Sequence, residues 1–277
     1  MPTAGSSRIV LREVTYTYPG RRAPALDSVS YRFEAGKLYA LLGRNGSGKS
    51  TLARCLNALL VPDSGTVEVG GISIASESDR RAVCRIVSMV FQNPDTQMIG
   101  PTVEEEVAFG PENLGLPTDS IRSRVDEAFE GAGIAGLVRR QPLRLSHGQK
   151  QQVAIAGAMA MEPEFLVSDE STSMLDYSSR GRVLGLFGEL RERGIGIIHA
   201  THFMEEAAAA DEVLVLDRGR VAVSGPPRAV LGDAAAVRAL GLDPLIATRV
   251  VEELRARGHA PPEEILTVEE LVSWLRS

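Results

Sequence analysis

Residues 43–50, with the sequence GRNGSGKS, constrain the fold of this chain more than any other segment. They follow a continuous apolar run at residues 38–42 and precede a segment that we expect to be helical over residues 49–60. A continuous apolar run predicts a strand that is buried on both faces of a helix-covered sheet. Strand, glycine-rich loop and helix in this order predict an α/β core with a phosphate-binding loop.

Each residue type in this loop has a physical role in holding phosphate. The glycines let successive backbone N–H groups curl around an anion, and the start of the next helix adds partial positive charge. We expect Lys49 to contact the β- and γ-phosphates of a nucleotide and the Ser50 hydroxyl to coordinate Mg²⁺. The loop therefore predicts ATP binding by Gly43, Asn45, Gly46, Ser47, Gly48, Lys49, Ser50 and Thr51.

A second apolar run, at residues 165–168, ends in the two carboxylates of Asp169 and Glu170. Because the carboxyl ends of parallel strands share one sheet edge, we expect both acids to lie beside the phosphates. Asp169 would hold the Mg²⁺ shell, and Glu170 would orient and deprotonate the attacking water. The pair therefore predicts ATP hydrolysis.

The N-terminal part of the chain carries the alternation that is typical of strands with one covered face. Residues 9–18 and 29–33 alternate apolar and polar side chains, which predicts antiparallel strands. Residues 65–74 predict a hairpin, and residues 85–91 predict another buried strand. Together with the apolar runs, these segments predict a mixed sheet and an antiparallel β subdomain.

Helical patterns dominate residues 102–161, and buried strands and helices alternate again after them. We predict an α/β fold: a P-loop NTPase core, with a mixed sheet flanked by helices, over residues 1–225. A helical subdomain is inserted at about residues 93–163. Two amphipathic stretches beyond a Gly-Pro-Pro segment predict a small C-terminal helical extension over residues 226–277.

Composition excludes several classes of function. The net charge of −6 argues against broad nucleic-acid binding, which usually requires a clear basic excess. The two cysteines lack the paired spacing of a metal or redox site. No apolar run approaches the roughly 20 residues that span a bilayer, and no export signal is evident, so we expect the chain neither to be exported nor to cross a membrane by itself.

Residues 145–149, Leu-Ser-His-Gly-Gln, precede a predicted helix at residues 149–161. Ser146 is suitably placed as its N-cap. The helix start is therefore a second possible anion site, and by the residues alone a purely structural cap is equally open.

These three motifs, with a helical lobe between the phosphate loop and the carboxylates, resemble the ATPase subunit of an ABC transporter. The similarity covers the chain up to about residue 225. It implies that two such subunits enclose ATP, with the phosphate loop of one facing Ser146, Gly148 and Gln149 of the other.

The resemblance also implies roles for residues outside the three motifs. Gln92 matches a glutamine that bridges Mg²⁺ and the helical lobe, and His202 matches a histidine that contacts the γ-phosphate. Tyr18 is the counterpart of an aromatic residue that stacks on adenine, with Tyr16 as the competing candidate. Asp176 matches a loop residue that makes contact across the dimer.

Within this family, the chain is most similar to the ATPases of energy-coupling-factor (ECF) transporters. The similarity lies in residues 91–97 (FQNPDTQ), 102–110 (TVEEEVAFG), 173–176 (SMLD) and 240–244 (LGLDP). It implies an importer of vitamins or transition-metal ions.

That branch also implies the partners of the chain. A second ATPase subunit, identical or a paralogue, pairs with it, and residues 226–277 help the two to hold together. The helical lobes grip a membrane-spanning coupling subunit, which carries a substrate-binding membrane subunit. The chain is then peripheral, at the cytoplasmic face of the cell membrane.

Three positions depart from the family pattern. His147 replaces a glycine, at a point where a side chain can crowd the partner's γ-phosphate and weaken turnover. Ser168 replaces an apolar residue, and Ser171 replaces proline or alanine; neither change removes a ligand. Alternative interpretations are the ATPase of another ABC class, a soluble ABC-type ATPase acting on DNA or ribosomes, and a regulatory ATP-binding subunit with little hydrolysis.

Overall fold

The computed structural model describes residues 7–262 and 265–276. One of its two sheets is a four-stranded antiparallel sheet near the N-terminus, in the order β2-β1-β4-β5. Its strands are β1 (Arg8–Tyr16), β2 (Leu26–Glu34), β4 (Ser64–Val69) and β5 (Ile72–Ser73). The alternating pattern predicted this sheet correctly, because Ile9, Leu11, Val29 and Phe33 all point into one core.

The second sheet has six strands in the order β10-β9-β3-β8-β7-β6. Five are parallel: β3 (Leu38–Leu42), β6 (Val87–Val90), β7 (Phe165–Asp169), β8 (Gly196–Ala200) and β9 (Glu212–Asp217). The edge strand β10 (Arg220–Gly225) is antiparallel to β9. Every residue of β7 and β8 is buried, as the continuous apolar runs predict for a sheet covered on both faces. The predicted α/β class with a mixed sheet is confirmed.

Eleven α-helices lie within the described residues, and the first seven flank or join the strands. These are α1 (Lys49–Leu56), α2 (Glu77–Ile86), α3 (Val103–Asn113), α4 (Thr118–Gly131), α5 (His147–Ala160), α6 (Tyr177–Glu192) and α7 (Met204–Ala208). The C-terminal four are α8 (Pro227–Leu231), α9 (Ala234–Ala239), α10 (Ile246–Ala256) and α11 (Val268–Leu275). None of them is both long and apolar enough to cross a membrane.

Two of the element boundaries that differ from the sequence prediction have a clear physical cause. Helix α1 ends at Leu56 instead of residue 60, because the chain leaves the helical conformation at Ala58, where φ is 59°. The strand predicted at residues 85–91 starts only at Val87, because its first two residues complete α2. The Ser76 hydroxyl caps that helix by accepting a hydrogen bond from the Asp79 N–H.

The C-terminal helices pack in two different ways. Val230, Leu231 and Val237 of α8 and α9 join the same apolar cluster as Val213 and Val215 of β9. Helices α10 and α11 instead share a small cluster of their own, formed by Ala247, Val251, Ile265 and Leu271. The last helices are therefore more independent of the sheet than α8 and α9.

Candidate nucleotide-binding site

The candidate site lies where four neighbouring parallel strands end at one sheet edge. In the order β3-β8-β7-β6, these strands are followed by the glycine-rich loop, His202, Glu170 and Gln92. The carboxyl edge of such a sheet is where α/β proteins bind their ligands. Residues that are far apart in the sequence are thus brought together by the strand order.

The glycine-rich loop leaves the start of α1 without a side-chain cap. Gly48, the N-cap residue, has a φ of 110° and no capping hydrogen bond, so the first N–H groups of the helix remain available to an anion. A Cβ atom at Gly43 would lie 2.4 Å from the Leu216 carbonyl oxygen, and one at Gly48 would lie 2.5 Å from that of Ala25. Larger residues would therefore distort the loop.

Lys49 is held at this loop by the protein's own oxygen atoms. Its side chain is only 4% exposed, and its Nζ donates to the Gly43 carbonyl oxygen at 2.8 Å. The same Nζ lies 3.5 Å from Glu170 Oε1. The ammonium group therefore lies between the phosphate loop and the carboxylate after β7.

Ser50 and Asp169 form the part of the site that suits a metal ion. The Ser50 hydroxyl donates to Asp169 Oδ1 at 2.8 Å. Burial raises the pKa of the Asp169 carboxyl, the hydrogen bond from Ser50 lowers it, and the nearby charge of Glu170 raises it further. A buried carboxylate next to a hydroxyl provides the hard oxygen donors that Mg²⁺ prefers, so these two residues fit the predicted ion.

Glu170 is the point on which the other candidate catalytic residues converge. Its Oε2 accepts a hydrogen bond from Gln92 Nε2 at 3.2 Å and lies 4.0 Å from His202 Nδ1. Its backbone φ is 51°, a conformation that is uncommon for a residue other than glycine, and its N–H donates to the Ala200 carbonyl oxygen. Strained backbone of this kind is frequent at functional sites.

A cleft of about 690 Å³ opens in front of these residues. Tyr18 lines it and shares a 3.2 Å hydrogen bond with the Thr51 hydroxyl, whereas Tyr16 packs against the core. Of the two candidates for the adenine contact, the structure brings only Tyr18 to the cleft. Arg21 and Pro24 also line it, and no sequence motif marked them.

The Leu-Ser-His-Gly-Gln segment lies apart from this cleft. Its residues are absent from the described cleft lining, and it forms the start of α5. The Ser146 hydroxyl accepts from the Gln149 N–H at 3.3 Å, and Gln149 Oε1 accepts from the Ser146 N–H at 3.1 Å, so the helix carries a complete capping box. The candidate residues of one chain therefore fall into two separate groups.

The second group also contains Asp176, which caps α6 next to the start of α5. Its carboxylate accepts from the Ser179 N–H at 2.9 Å and from the Ser179 hydroxyl at 2.7 Å. These hydrogen bonds, the backbone one first, lower the pKa of Asp176. A Cβ atom at Gly148 would lie 2.5 Å from that hydroxyl oxygen, so α5 and α6 touch at this glycine.

His147, the residue that departs from the family pattern, has a buried ring end. Its Nε2 atom is shielded from solvent and has no hydrogen-bond partner among the described residues. The end of the imidazole is therefore enclosed by protein atoms and does not face solvent.

Comparison with known proteins agrees with this geometry. The ABC transporter family model matches residues 26–173, and this chain belongs to that family. It is an ABC ATPase, and its reaction is the hydrolysis of ATP. Within the family its similarity is to ATP-binding proteins of energy-coupling-factor transporters, as the sequence motifs predicted.

Relatives match the chain over nearly its full length. The energy-coupling factor transporter ATP-binding protein EcfA1 of Symbiobacterium thermophilum is 49% identical over 96% of both chains. The cobalt import ATP-binding protein CbiO of Syntrophus aciditrophicus is 42% identical, also over 96% of both.

Solved structures show the same fold. CbiO1 of Clostridium perfringens, part of the ABC transporter complex CbiONQ, has a TM-score of 0.76 at 34% identity, over 89% of this chain and 98% of that one. A dimeric ATP-binding cassette in a post-hydrolysis state, bound to ADP and phosphate, has a TM-score of 0.71 at 27% identity, over 79% of this chain and 98% of that one.

Proposed function

We propose that this chain is the engine subunit of an ECF-type importer, in which two ATPase subunits close around two ATP molecules. Each ATP lies between the phosphate loop of one subunit and the Ser146–Gly148 turn of the other. The observation that carries this proposal is the separation of the candidate residues into two groups within one chain. Because neither group is complete alone, a second ATPase subunit, identical or a paralogue, supplies the missing half.

The residues around the cleft have distinct roles in hydrolysis. Lys49 and the open start of α1 bind the phosphates, and Tyr18 stacks on adenine. Glu170 takes a proton from the attacking water, and His202 contacts the γ-phosphate from the neighbouring strand end. Mg²⁺ would be held by Ser50, Gln92 and Asp169 and would neutralise charge on the phosphates.

An apolar groove next to the helical subdomain supports a membrane partner. It has a volume of about 340 Å³ and is lined by residues that include Leu59, Cys84, Phe91, Phe109, Val153 and Met161. Leu59 is 52% exposed and Phe109 is 45% exposed, which is unusual for large apolar side chains grouped at one surface. We propose that this groove receives a segment of the membrane-spanning coupling subunit.

The groove is directly connected to the catalytic carboxylate. Phe91 lines it, and the next residue, Gln92, donates its hydrogen bond to Glu170. A movement of the coupling segment would therefore reach the site of hydrolysis through one peptide unit. This short path fits an ATPase that drives a transport cycle.

The C-terminal extension supports pairing of the ATPase subunits. Helices α10 and α11 expose a set of apolar residues: Ile246, Val250, Val268, Val272 and Leu275. Such a patch fits a contact with a second subunit. We therefore propose that residues 1–225 form the ATPase domain, with the helical subdomain inserted at about 93–163. Residues 226–277 form the extension that pairs with the second subunit.

The cargo class follows from the relatives. One of them is named for cobalt import, and others for energy-coupling factor transporters. We propose a vitamin or a transition-metal ion as the cargo, carried by a separate substrate-binding membrane subunit. In this arrangement the chain is peripheral at the cytoplasmic face of the membrane.

Glu170→Gln tests the proposed site. We expect ATP affinity to stay within about threefold of wild type, while turnover falls at least about 100-fold, because a general base contributes 10²–10⁴-fold. Glu164→Gln, at the opposite end of the same strand, is exposed and is the matched control. Turnover of Glu170→Gln at the wild-type rate would refute the base assignment.

Phe109→Asp tests the coupling surface and the rival interpretations. The variant should bind ATP normally but lose co-purification with the membrane subunits, because a carboxylate in an apolar contact is strongly unfavourable. Co-purification of the wild-type chain with DNA or ribosomes instead of membrane subunits would favour the soluble ATPase.

A further inference from the structure

A buried polar network lies directly behind the catalytic loops, and its centre is Glu206 of α7. Its side chain is only 2% exposed. Its Oε2 atom accepts hydrogen bonds from His199 at 2.8 Å, from the Thr172 hydroxyl at 3.1 Å and from the Thr201 hydroxyl. Burying a carboxylate this deeply is costly unless its partners compensate, so the site is built around this residue.

Glu206 joins the two loops that carry the proposed catalytic residues. Thr172 is two residues beyond Glu170, and Thr201 immediately precedes His202. One carboxylate oxygen thus binds hydroxyl groups from both loops at the same time.

His199 extends the network to the end of β7. Because the Glu206 carboxylate accepts hydrogen bonds, His199 Nε2 is the donor, and His199 Nδ1 shares a 3.0 Å hydrogen bond with the Ser168 hydroxyl. The Ser168 and Ser171 hydroxyls share a hydrogen bond of 2.6 Å. The two serines that depart from the family pattern therefore act together, since both link the loop around Glu170 to His199 by hydrogen bonds.

Burial raises the pKa of Glu206, but the hydrogen bonds from His199, Thr201 and Thr172 and the coulombic effect of His199 outweigh it, so the pKa is lowered. The group is accordingly a carboxylate at neutral pH.

Arg180 of α6 connects this network to the loop that contains Asp176. Its guanidinium lies 3.6 Å from the centre of the Phe203 ring, and one of its nitrogens donates to the Leu175 carbonyl oxygen at 3.4 Å. Its Nε is 3.6 Å from Glu206 Oε1. Within the described part of the chain, Arg180 Nε and Glu206 Oε1 are both buried and have no other hydrogen-bond partner. A slightly shorter distance between them would form a hydrogen bond that satisfies both atoms.

We propose that Glu206 is a positioning residue for ATP hydrolysis, and that Arg180 links it to the loop proposed to touch the second subunit. Glu206 holds the loops after β7 and β8 at a fixed distance, so that Glu170 and His202 face the same phosphate. Arg180 makes that distance depend on the position of residues 175–176. The inference rests on the roles proposed above for Glu170 and His202.

This role predicts an effect on turnover that is separate from ATP binding. None of the described residues that line the cleft belongs to the network. Misplacing a catalytic group by about 1 Å can cost about 100-fold in rate. We therefore expect Glu206→Gln to lower kcat by about 10- to 100-fold, while Kd for a non-hydrolysable ATP analogue changes less than about twofold.

The experiment measures kcat, KM and the Kd for the ATP analogue on the full chain assembled with its second ATPase subunit. Glu205→Gln is the matched control, because Glu205 precedes Glu206 on α7 and is exposed. It should leave all three values unchanged. A wild-type kcat for Glu206→Gln, or a Kd that weakens as much as kcat falls, would overturn the proposal.

Arg180 provides a second test if Glu206→Gln fails to fold. Arg180 is 24% exposed, so Arg180→Gln should fold, and we expect its kcat to fall about 3- to 10-fold with Kd unchanged. Arg180→Lys, which keeps the charge near Glu206, should recover part of the loss. A wild-type kcat for Arg180→Gln, or no recovery in Arg180→Lys, would overturn the link to residues 175–176.

Glu170→Gln distinguishes this inference from the proposed function. If that variant turns over ATP at the wild-type rate, the catalytic assignment fails and the positioning role fails with it. If Glu170→Gln is inactive but Glu206→Gln is fully active, only the positioning role fails.

Discussion

Helices α1 and α5 both begin at a proposed phosphate contact, but their first turns are built differently. Helix α1 follows Gly48 and has no side-chain cap, whereas α5 follows Ser146 and has a complete capping box with Gln149. The N–H groups of α1 are therefore left for a ligand, while part of those of α5 are satisfied within the chain.

This difference shows how two helix starts can have different roles in one nucleotide-binding site. The open start of α1 binds an anion strongly because its donors have no other partner. The capped start of α5 has part of its hydrogen-bonding groups satisfied within the chain, and it lies against α6 at Gly148. Variants at the two starts should consequently separate ATP affinity from turnover and from folding stability.

The largest effect should come from Lys49→Ala at the open start. Loss of charge-assisted hydrogen bonds to phosphate costs about 3 kcal/mol, so Kd for ATP should rise roughly 100-fold. Isothermal titration of the full chain measures this. Lys37→Ala is the control, because Lys37 pairs with Glu34 and Glu212 away from the cleft lining and should leave Kd unchanged. Unchanged affinity in Lys49→Ala would refute the phosphate role of the loop.

A smaller effect is expected from Gly148→Ala at the capped start. The added methyl group would lie 2.5 Å from Ser179 Oγ and 2.8 Å from its Cβ, and overpacking of this kind costs about 1–3 kcal/mol. Denaturant unfolding should show that loss, and turnover should fall while ATP affinity of the single chain is retained.

Two controls sharpen the result for Gly148. Gly181→Ala on α6 meets no atom within 4 Å and should stabilise the helix slightly. His147→Ala should change turnover less than Gly148→Ala, because the end of the His147 ring is buried. A larger loss in His147→Ala would show that the histidine takes part in the site.

Ser146→Ala removes the hydroxyl cap of α5. We expect it to destabilise the fold by about 1 kcal/mol in chemical denaturation, the usual value of an N-cap. ATP affinity of the single chain should be unchanged, and turnover should fall because Ser146 is also a proposed phosphate contact. Ser146→Asp, which can still cap the helix, should recover stability but not turnover. Recovery of both would assign Ser146 a structural role alone.

The smallest effect concerns a third helix start, that of α11. Thr267 and Glu270 form its capping box, and Glu270 also pairs with Arg228. The hydrogen bond from Arg228, opposed by partial burial and aided by two backbone N–H groups, lowers the pKa of Glu270 to about 2 from 4.5. The contribution of the Glu270 carboxylate to the free energy of unfolding is thus complete above about pH 4.5 and disappears as the pH falls toward 2.

Glu270→Gln keeps the capping geometry and removes the charge. Because Glu270 is partly exposed, solvent screening limits the expected destabilisation at pH 7 to about 1 kcal/mol or less. Unfolding measured from pH 7 down to pH 3 should show the difference between wild type and variant shrinking. A constant difference over that range would mean that the ion pair contributes nothing.

Much of the site could be predicted from local patterns. The phosphate loop stands between a buried strand and a helix, and Asp169 and Glu170 end another buried strand, so each motif carries its own context. The mixed α/β sheet followed from continuous apolar runs, and the antiparallel sheet from alternation. Helix α2 was missed because most of its residues are polar and only Val83 is buried.

The sequence by itself determined which residues can bind phosphate and which can act as acid or base, because those properties depend on residue type and immediate neighbours. Only the tertiary structure decided that Tyr18 rather than Tyr16 lines the cleft, that Gly148 touches Ser179, and that Glu206 bridges two loops. The physical reason is that hydrogen bonds and close contacts between distant segments follow the order of strands in the sheet, which leaves no periodic signal along the chain.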